Sequence, residues 1–411
     1  MLSVAEALDL IAAEALPLPP RLHATLESIG LVLGESVASD IDSPPYDKST
    51  VDGIALQAAS ITARGSELEI LEEITAGNVP TREVVPGHGT RIMTGAPIPP
   101  GADAVVMVEK TEPAAAASQA RVLEFPIRPG QNIMRRGISM QAGQAVLAPG
   151  DPQHPKVLTP AMLGLLAEVG RTRIRAYPRP TVALLSTGNE LVDCEQAPGP
   201  GQIRNSNRPM IWALIQQAGG TPWDLGVARD TAEDLSRSIR HGLRGDIFVL
   251  SGGVSAGVLD LVPQVLGDHG VRPVFHKVDL KPGKPLWFGV SPEDGQSGQR
   301  SLVFGLPGNP VSSLVCFELF VRPAIAALMG KGMRGTPVRR ATLTQSHQSR
   351  GSRPTYWPAR FEEHLGAIAV TPLSWKGSGD LKTLADANCL AHFPGEERLF
   401  AAGETVTIHL I

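Results

Sequence analysis

Cysteine is scarce in this chain: three in 411 residues, at positions 194, 316 and 389. They lie too far apart for a disulfide framework or a zinc-ligand spacing, which excludes a disulfide-stapled secreted fold and a structural zinc module. Reduced thiols point to the cytoplasm. An excess of one charge is also lacking. Lys plus Arg number 37 and Asp plus Glu 41, giving a formal net charge of −4. No global field therefore draws nucleic acid or an anionic membrane to the surface, and any anion binding must be local. Long apolar runs are missing as well. The longest stretch free of Asp, Glu, Lys and Arg, residues 301–317, is broken by Pro307-Gly308-Asn309-Pro310 and is too short to span a bilayer. The N-terminal segment carries Glu6 and Asp9 without a basic leader, so it does not read as a signal peptide.

Glycine and proline are plentiful, at 43 and 36 residues, which implies many turns and β-rich parts. The length implies two to four domains at about 100–200 residues each.

Residues 246–286 organise the rest. Ile247-Phe248-Val249-Leu250 reads as a buried strand. It breaks into Ser251-Gly252-Gly253-Val254-Ser255-Ala256-Gly257, whose glycines let the backbone turn and aim N–H groups at one anion. A helix is expected from about Leu259, with Val262, Val265 and Leu266 on its buried face, and its N-terminus adds positive potential at the same place. Lys277 follows, then Lys281-Pro282-Gly283-Lys284-Pro285. A glycine nest, a helix start and three lysines make a site for a phosphate-like oxyanion. Asp260 would repel a bare anion there, and a divalent cation between the two resolves that conflict. The plainer reading is a loop that only turns the chain beside solvated lysines. The rigid Lys-Pro-Gly-Lys-Pro turn favours the anion site.

Elsewhere, Ser3 caps a first helix with Val4, Leu8, Ile11, Ala12 and Ala15 on one face, ended by Pro17, Pro19 and Pro20. Asp52-Gly53 reads as a turn pair. The chain to about Arg128 alternates β-prone runs with turns. Arg91-Ile92-Met93-Thr94-Gly95-Ala96-Pro97 and Ala104-Val105-Val106-Met107-Val108-Glu109 are the clearest strands, and residues 112–120 an Ala-rich surface loop. The pair Arg135-Arg136 reads as solvated. Thr159-Pro160 opens a helix through Leu163, Leu166 and Ala167 that Gly170 closes.

An α/β rhythm follows. Strands at 182–185, 223–227, 247–250 and 302–305 alternate with helices that start at Asn207 and Pro209, run through Leu235, Ile239 and Leu243, and follow Gly308-Asn309-Pro310. Ligands of such sheets sit at the C-terminal strand ends. That places Thr187, Glu190, Asp230, the 251–257 loop and the 307–310 loop on one rim. Local alternatives stand beside this: Asp230 with Glu233 as a capping pair, Glu190 as a solvated side chain, Asn309 as an N-cap. From about Pro337, short strands indicate a small β-domain holding the Gly377-Ser378-Gly379 loop.

Six motifs in order carry a resemblance: Ser49-Thr50-Val51-Asp52-Gly53, the 91–97 run, Ser186-Thr187-Gly188-Asn189-Glu190-Leu191, the 251–257 loop with Asp260, the 281–285 turn, and Leu306-Pro307-Gly308-Asn309-Pro310. Together they resemble the MoeA-type molybdopterin molybdenumtransferases, related to the E domain of gephyrin, over nearly the whole chain. The resemblance implies a multidomain α/β protein. Residues 1–44 and 139–178 form an N-terminal linker or α+β domain, 45–138 a β-rich lid, 179–332 an α/β molybdopterin-binding domain, and 333–411 a C-terminal β-barrel-like domain. It implies an elongated homodimer in which the α/β domain of one subunit faces the lid of the other. The implied reaction inserts molybdate into the dithiolene of adenylylated molybdopterin and releases AMP, with Mg²⁺.

The resemblance gives catalytic roles to Asp52 and Thr94 on the lid and to Glu190, Asp230, Asp260, Lys277 and Lys281. Substrate binding falls to Thr187, Gly188, Ser251, Gly252, Gly253, Ser255, Gly257, Lys284, Pro307 and Asn309, with Arg353 and Ser378 from the last domain. Glu190, Asp230 and Asp260 are the implied magnesium ligands. Molybdopterin adenylyltransferase and molybdoenzyme-specific acceptors are the implied partners; nucleic acid and membrane are not. Because the substrate brings its own sulfurs, few cysteines are needed. Three positions depart from the family pattern: Lys48 where Asn is common, Asn189 where Asp is frequent, and Ile138-Ser139 where Glu-Asp is usual. The missing acid at Ser139 keeps a non-catalytic molybdopterin-binding scaffold open as a reading. A molybdopterin adenylyltransferase is the third, and the lid and last domain speak against it.

Overall fold

The computed structural model describes residues 1–253, 261–293, 298 and 300–411. Two compact units emerge. One comprises Met1–Gly34, Pro149–Thr159 and Arg173–Ile411; the other comprises Glu35–Ala148 and Pro160–Thr172.

The larger unit begins with the helix Val4–Glu14, opened by a capping box in which Ser3 and Glu6 bond reciprocally. Ala7, Ile11 and Ala15 are buried, whereas Ala12, expected on that face, is exposed. The central sheet is built from β1 Thr181–Thr187, β2 Thr221–Ala228, β3 Ile247–Ser251, β4 Arg272–His276, β5 Trp287–Val290 and β6 Leu302–Leu306. Their order is β2-β1-β3-β6-β5-β4. The first four are mutually parallel, and β5 runs antiparallel to both of its neighbours, β6 and β4. All five residues of β3 are buried, as a strand covered on both faces requires.

Helices α1 Asn207–Ala218, α2 Ala232–Gly242, α3 Leu261–Asp268 and α4 Pro310–Cys316 flank the sheet. Leu235 and Ile239 of α2 join Val262, Val265 and Leu266 of α3 against Leu185, Phe248 and Leu250. Helix α1 packs on β1 and β2 and against α4. The chain leaves β1 toward β2 on one side while β3 lies on the other, so β1 and β3 flank a topological switch point, where α/β sheets open a crevice.

Beyond α4 the helix continues through a π-helical turn, Phe317–Val321, into Arg322–Leu328. Its 19 residues meet the length and composition of a membrane span, but 94% of that window is buried and Glu318 pairs with Arg322, as in a core helix. The last domain is a closed barrel of Val338–Leu343, Thr355–His364, Ala367–Pro372, Cys389–Phe393 and Thr405–Leu410 around Leu343, Ala391, Phe393 and Ile408.

The smaller unit carries a six-stranded sheet in the order Ala104–Met107, Gly53–Leu56, His88–Ile92, Ser66–Ile74, Gln119–Val122, Thr111–Pro113. Gly53 is sterically required: a Cβ there would lie 1.9 Å from the Val106 carbonyl oxygen. Three local expectations change. The strand expected over 91–97 stops at Ile92, because Thr94 turns back to bond Asp52 and the Gly95 N–H reaches Ser49 O. The run from Ala104 stops at Met107 and coils into a 3-10 turn, Val108–Lys110. Residues 112–120 are strand at both ends with an exposed tip between. Arg135 and Arg136 pair with Asp47 and Asp42, which neutralises them.

Candidate functional site

The C-terminal ends of the parallel strands surround a cavity of about 1000 Å³. Thr187, Gly188, Asn189 and Glu190 enter it from β1, Asp230 from β2, Ser251, Gly252 and Gly253 from β3, and Pro307, Gly308 and Asn309 from β6. Glu190 folds back over Gly188, where an added Cβ would lie 2.6 Å from its carboxylate. The loops after β1 and β2 are tied reciprocally: Asn189 N–H donates to the Asp230 carboxylate at 3.3 Å, and Asp230 N–H donates to the Asn189 side-chain oxygen at 3.2 Å. Asp230 is therefore no helix cap. Thr231 caps α2, accepting from the Asp234 N–H.

Gly252 and Gly253 have φ of +96° and +65°, and a Cβ on either would strike Thr187. The turn at the end of β3 thus admits only glycine. The Gly252 N–H, however, donates to Leu306 O at 3.1 Å and is not free for an anion. Asn309 stands at the N-cap of α4 without a side-chain capping bond.

A second cavity, of about 480 Å³, shares Pro285, Pro307 and Asn309 with the first. Its wall carries Lys281, Lys284, Arg353 and Lys376 with Ser312, Ser378 and two tryptophans, and no carboxylate among the described residues. None of these four cations forms an ion pair with a described residue. The barrel reaches this place because its strand Thr355–His364 pairs with the lysine turn. Lys281 N–H donates to Pro354 O and Tyr356 N–H to Lys281 O, both at 2.8 Å. Arg353 is steadied by a 3.2 Å bond from its guanidinium to Leu280 O, and Ser378 O accepts from Val311 N–H at 3.0 Å. Beneath the turn, a Cβ on Gly283 would lie 2.6 Å from Cys316 Sγ, and burial pushes that thiol's pKa up.

Lys277 lines neither cavity; it sits half-buried at the end of β4 with φ +74°. Asp52 and Thr94 lie together in the smaller unit. Ser139, where the family pattern has an acid, is exposed, and its N–H donates to Ser43 O at 3.0 Å. Ser255, Gly257 and Asp260 fall outside the described residues. Among the described residues no group of three or more His, Cys, Asp or Glu is placed to hold a metal ion. Glu190 and Asp230 do line one cavity and offer the hard oxygen donors that magnesium takes.

Sequence reasoning missed Asn205 and Asn207 in the large cavity and Trp357, Trp375 and Lys376 in the small one. Asn207 reads as a helix-start residue, and Asn205 carries no signal of its own. The tryptophans and Lys376 depend on the long-range pairing of the lysine turn with the barrel.

Three family models match in sequence order: the MoeA N-terminal region (domain I and II) over residues 2–170, a probable molybdopterin binding domain over 183–327, and the MoeA C-terminal region (domain IV) over 340–411. A molybdopterin molybdenumtransferase of Staphylococcus aureus strain Mu50 is 32% identical, covering 99% of this chain and 95% of its own. One of Bacillus subtilis strain 168 is 32% identical over 94% of this chain and 88% of its own. The crystal structure of a molybdopterin biosynthesis MoeA protein from Pyrococcus horikoshii superimposes with a TM-score of 0.80 at 29% identity, covering 100% of this chain and 99% of that one.

Proposed function

The chain belongs to the MoeA family of molybdopterin molybdenumtransferases, and on that premise we propose that it inserts molybdate into the dithiolene of adenylylated molybdopterin, releasing AMP and forming molybdenum cofactor. The observation that carries this reading is the pair of adjoining cavities: a roomy one rimmed by strand ends and a smaller cationic one, sharing the Pro285–Pro307–Asn309 wall. The two reactants are an adenylylated pterin and a small dianion, and the cavities suit them respectively.

Molybdate is placed among Lys281, Lys284, Arg353 and Ser378, where fixed cations and hydroxyls replace its water shell. The pyrophosphate and its attached rings are placed against Thr187, Gly188, Ser251 and Gly253, with Asn309 and Pro307 between the reactants. Lys277 serves from the strand end ahead of the lysine turn. Glu190 and Asp230, joined by Asp260, would hold Mg²⁺, which supplies charge neutralisation at the pyrophosphate. A cytoplasmic homodimer with Asp52 and Thr94 as lid residues belongs to the same proposal, as do hand-over of substrate from an adenylyltransferase and delivery to molybdoenzymes.

The test supplies purified protein with adenylylated molybdopterin and Mg²⁺, with and without molybdate. AMP release that depends on molybdate supports the proposal. Binding without AMP release marks a scaffold, and ATP-dependent adenylylation of molybdopterin marks the adenylyltransferase reading.

A further inference from the structure

One loop of the last domain serves both cavities. Lys376, Gly377 and Ser378 line the small one, and Gly379 and Leu381 line the large one. Asp380 stands between them and lines neither. Its carboxylate collects three donors. One oxygen accepts the Thr383 N–H at 3.1 Å; the other accepts the Thr383 hydroxyl at 2.7 Å and the Lys376 N–H at 3.0 Å. These contacts, the Thr383 hydroxyl first, hold the carboxyl below its ordinary pKa.

The Thr383 contacts are a helix cap, since Asp380 is the N-cap of the short helix Leu381–Ala385. A cap has no need of Lys376. That bond reaches back across the turn at Gly377, where φ is +126°. The Asp380 N–H donates to Gly377 O at 2.9 Å, so two bonds from one residue close the loop that carries Lys376 and Ser378. The far side of the loop is docked on α4, whose Val311 N–H donates to Ser378 O at 3.0 Å. A carboxylate two residues from Ser378 would repel a dianion if it faced the cavity. Here its oxygens face three donors instead.

We infer that Asp380 is a positioning residue for the small cavity: besides capping its helix, it clasps the Lys376 amide and so holds Lys376 and Ser378 at the cavity wall. This deepens the function proposed above and rests on it for the identity of the anion.

Asp380→Ser separates the clasp from the cap. Serine caps a helix about as well as aspartate, but its single, shorter oxygen cannot hold Thr383 and Lys376 together. Thr383→Val removes the hydroxyl bond and leaves the Lys376 bond in place. The full-length proteins are compared by thermal melting, by hydrogen–deuterium exchange over residues 375–380 and 381–386, and by calorimetric titration with molybdate. Asp380→Ser is expected to keep the wild-type melting temperature and the protection of 381–386. It exchanges faster over 375–380 and binds molybdate about tenfold more weakly, as loss of one placed contact should. Thr383→Val is expected to leave the molybdate affinity unchanged. Three results overturn the inference: unchanged exchange over 375–380 in Asp380→Ser, unchanged molybdate affinity despite a loosened loop, or an equal loss of affinity in Thr383→Val, which would reduce Asp380 to a helix cap. Failure of the wild-type protein to bind molybdate counts against the underlying reading, and the exchange comparison then still decides whether Asp380 holds the loop.

Discussion

One carboxylate oxygen of Asp52 accepts two hydrogen bonds from Thr94, from its hydroxyl and from its backbone N–H, both at 2.7 Å. The hydroxyl contributes most and the amide next, and together they hold the carboxyl below its ordinary pKa. Thr94→Val removes the larger contribution, so the Asp52 pKa rises toward the usual carboxylate range while Thr94→Ser keeps it low. Carbon-detected NMR titration of the Asp52 carboxyl reads this directly. An unchanged pKa in Thr94→Val would show that the hydroxyl does not hold the charge.

The cationic cavity predicts how molybdate affinity divides among its residues. Lys284 is exposed, so Lys284→Ala is expected to change folding stability by less than about 0.5 kcal/mol. The same change raises the KM for molybdate about tenfold, as loss of one charge-assisted contact should. Arg353→Lys keeps the charge but not the planar fork, and it is expected to lose a comparable factor. Unaltered molybdate KM in both variants would remove the dianion from this cavity.

Lys277 occupies the left-handed region, at φ +74°, where a side chain costs about 1 kcal/mol or more relative to glycine. Lys277→Gly is therefore expected to raise the melting temperature while lowering turnover. A variant that is stabilised and fully active would reduce Lys277 to a structural position.

The barrel supplies a pH dependence of its own. Burial, with the neighbouring His392 imidazole second, lowers the His409 pKa from 6.5 to about 4. The folded state thus binds the proton less readily than the unfolded chain. Stability from this group is complete above pH 6.5 and is lost as pH falls toward 4, by about 3 kcal/mol in all. His409→Gln should flatten the stability–pH curve in that window, as followed by urea unfolding. A slope that persists unchanged would assign the acid sensitivity elsewhere.

Much of the fold was legible because local chemistry dictated it. Ser3 announced a helix cap, the apolar run at Ile247 a buried strand, and Gly252-Gly253 a turn. Failures arose where a distant partner outweighed local propensity. Met93 to Gly95 reads as strand until Asp52, some forty residues earlier, captures Thr94. Asp230 reads both as a rim residue and as a cap, and only its contact with Asn189, from another strand, removes the cap. Trp375 and Lys376 could not be assigned to a site because the pairing of Lys281 with Thr355 creates their neighbourhood.

The most direct measurement counts two products of one reaction. Protein, adenylylated molybdopterin, Mg²⁺ and molybdate are mixed, AMP is quantified by chromatography, and molybdenum retained on the pterin is quantified by mass spectrometry. The account predicts one AMP for each molybdenum inserted, with both falling together in Lys281→Ala. AMP release without molybdenum uptake, or uptake without release, would contradict it.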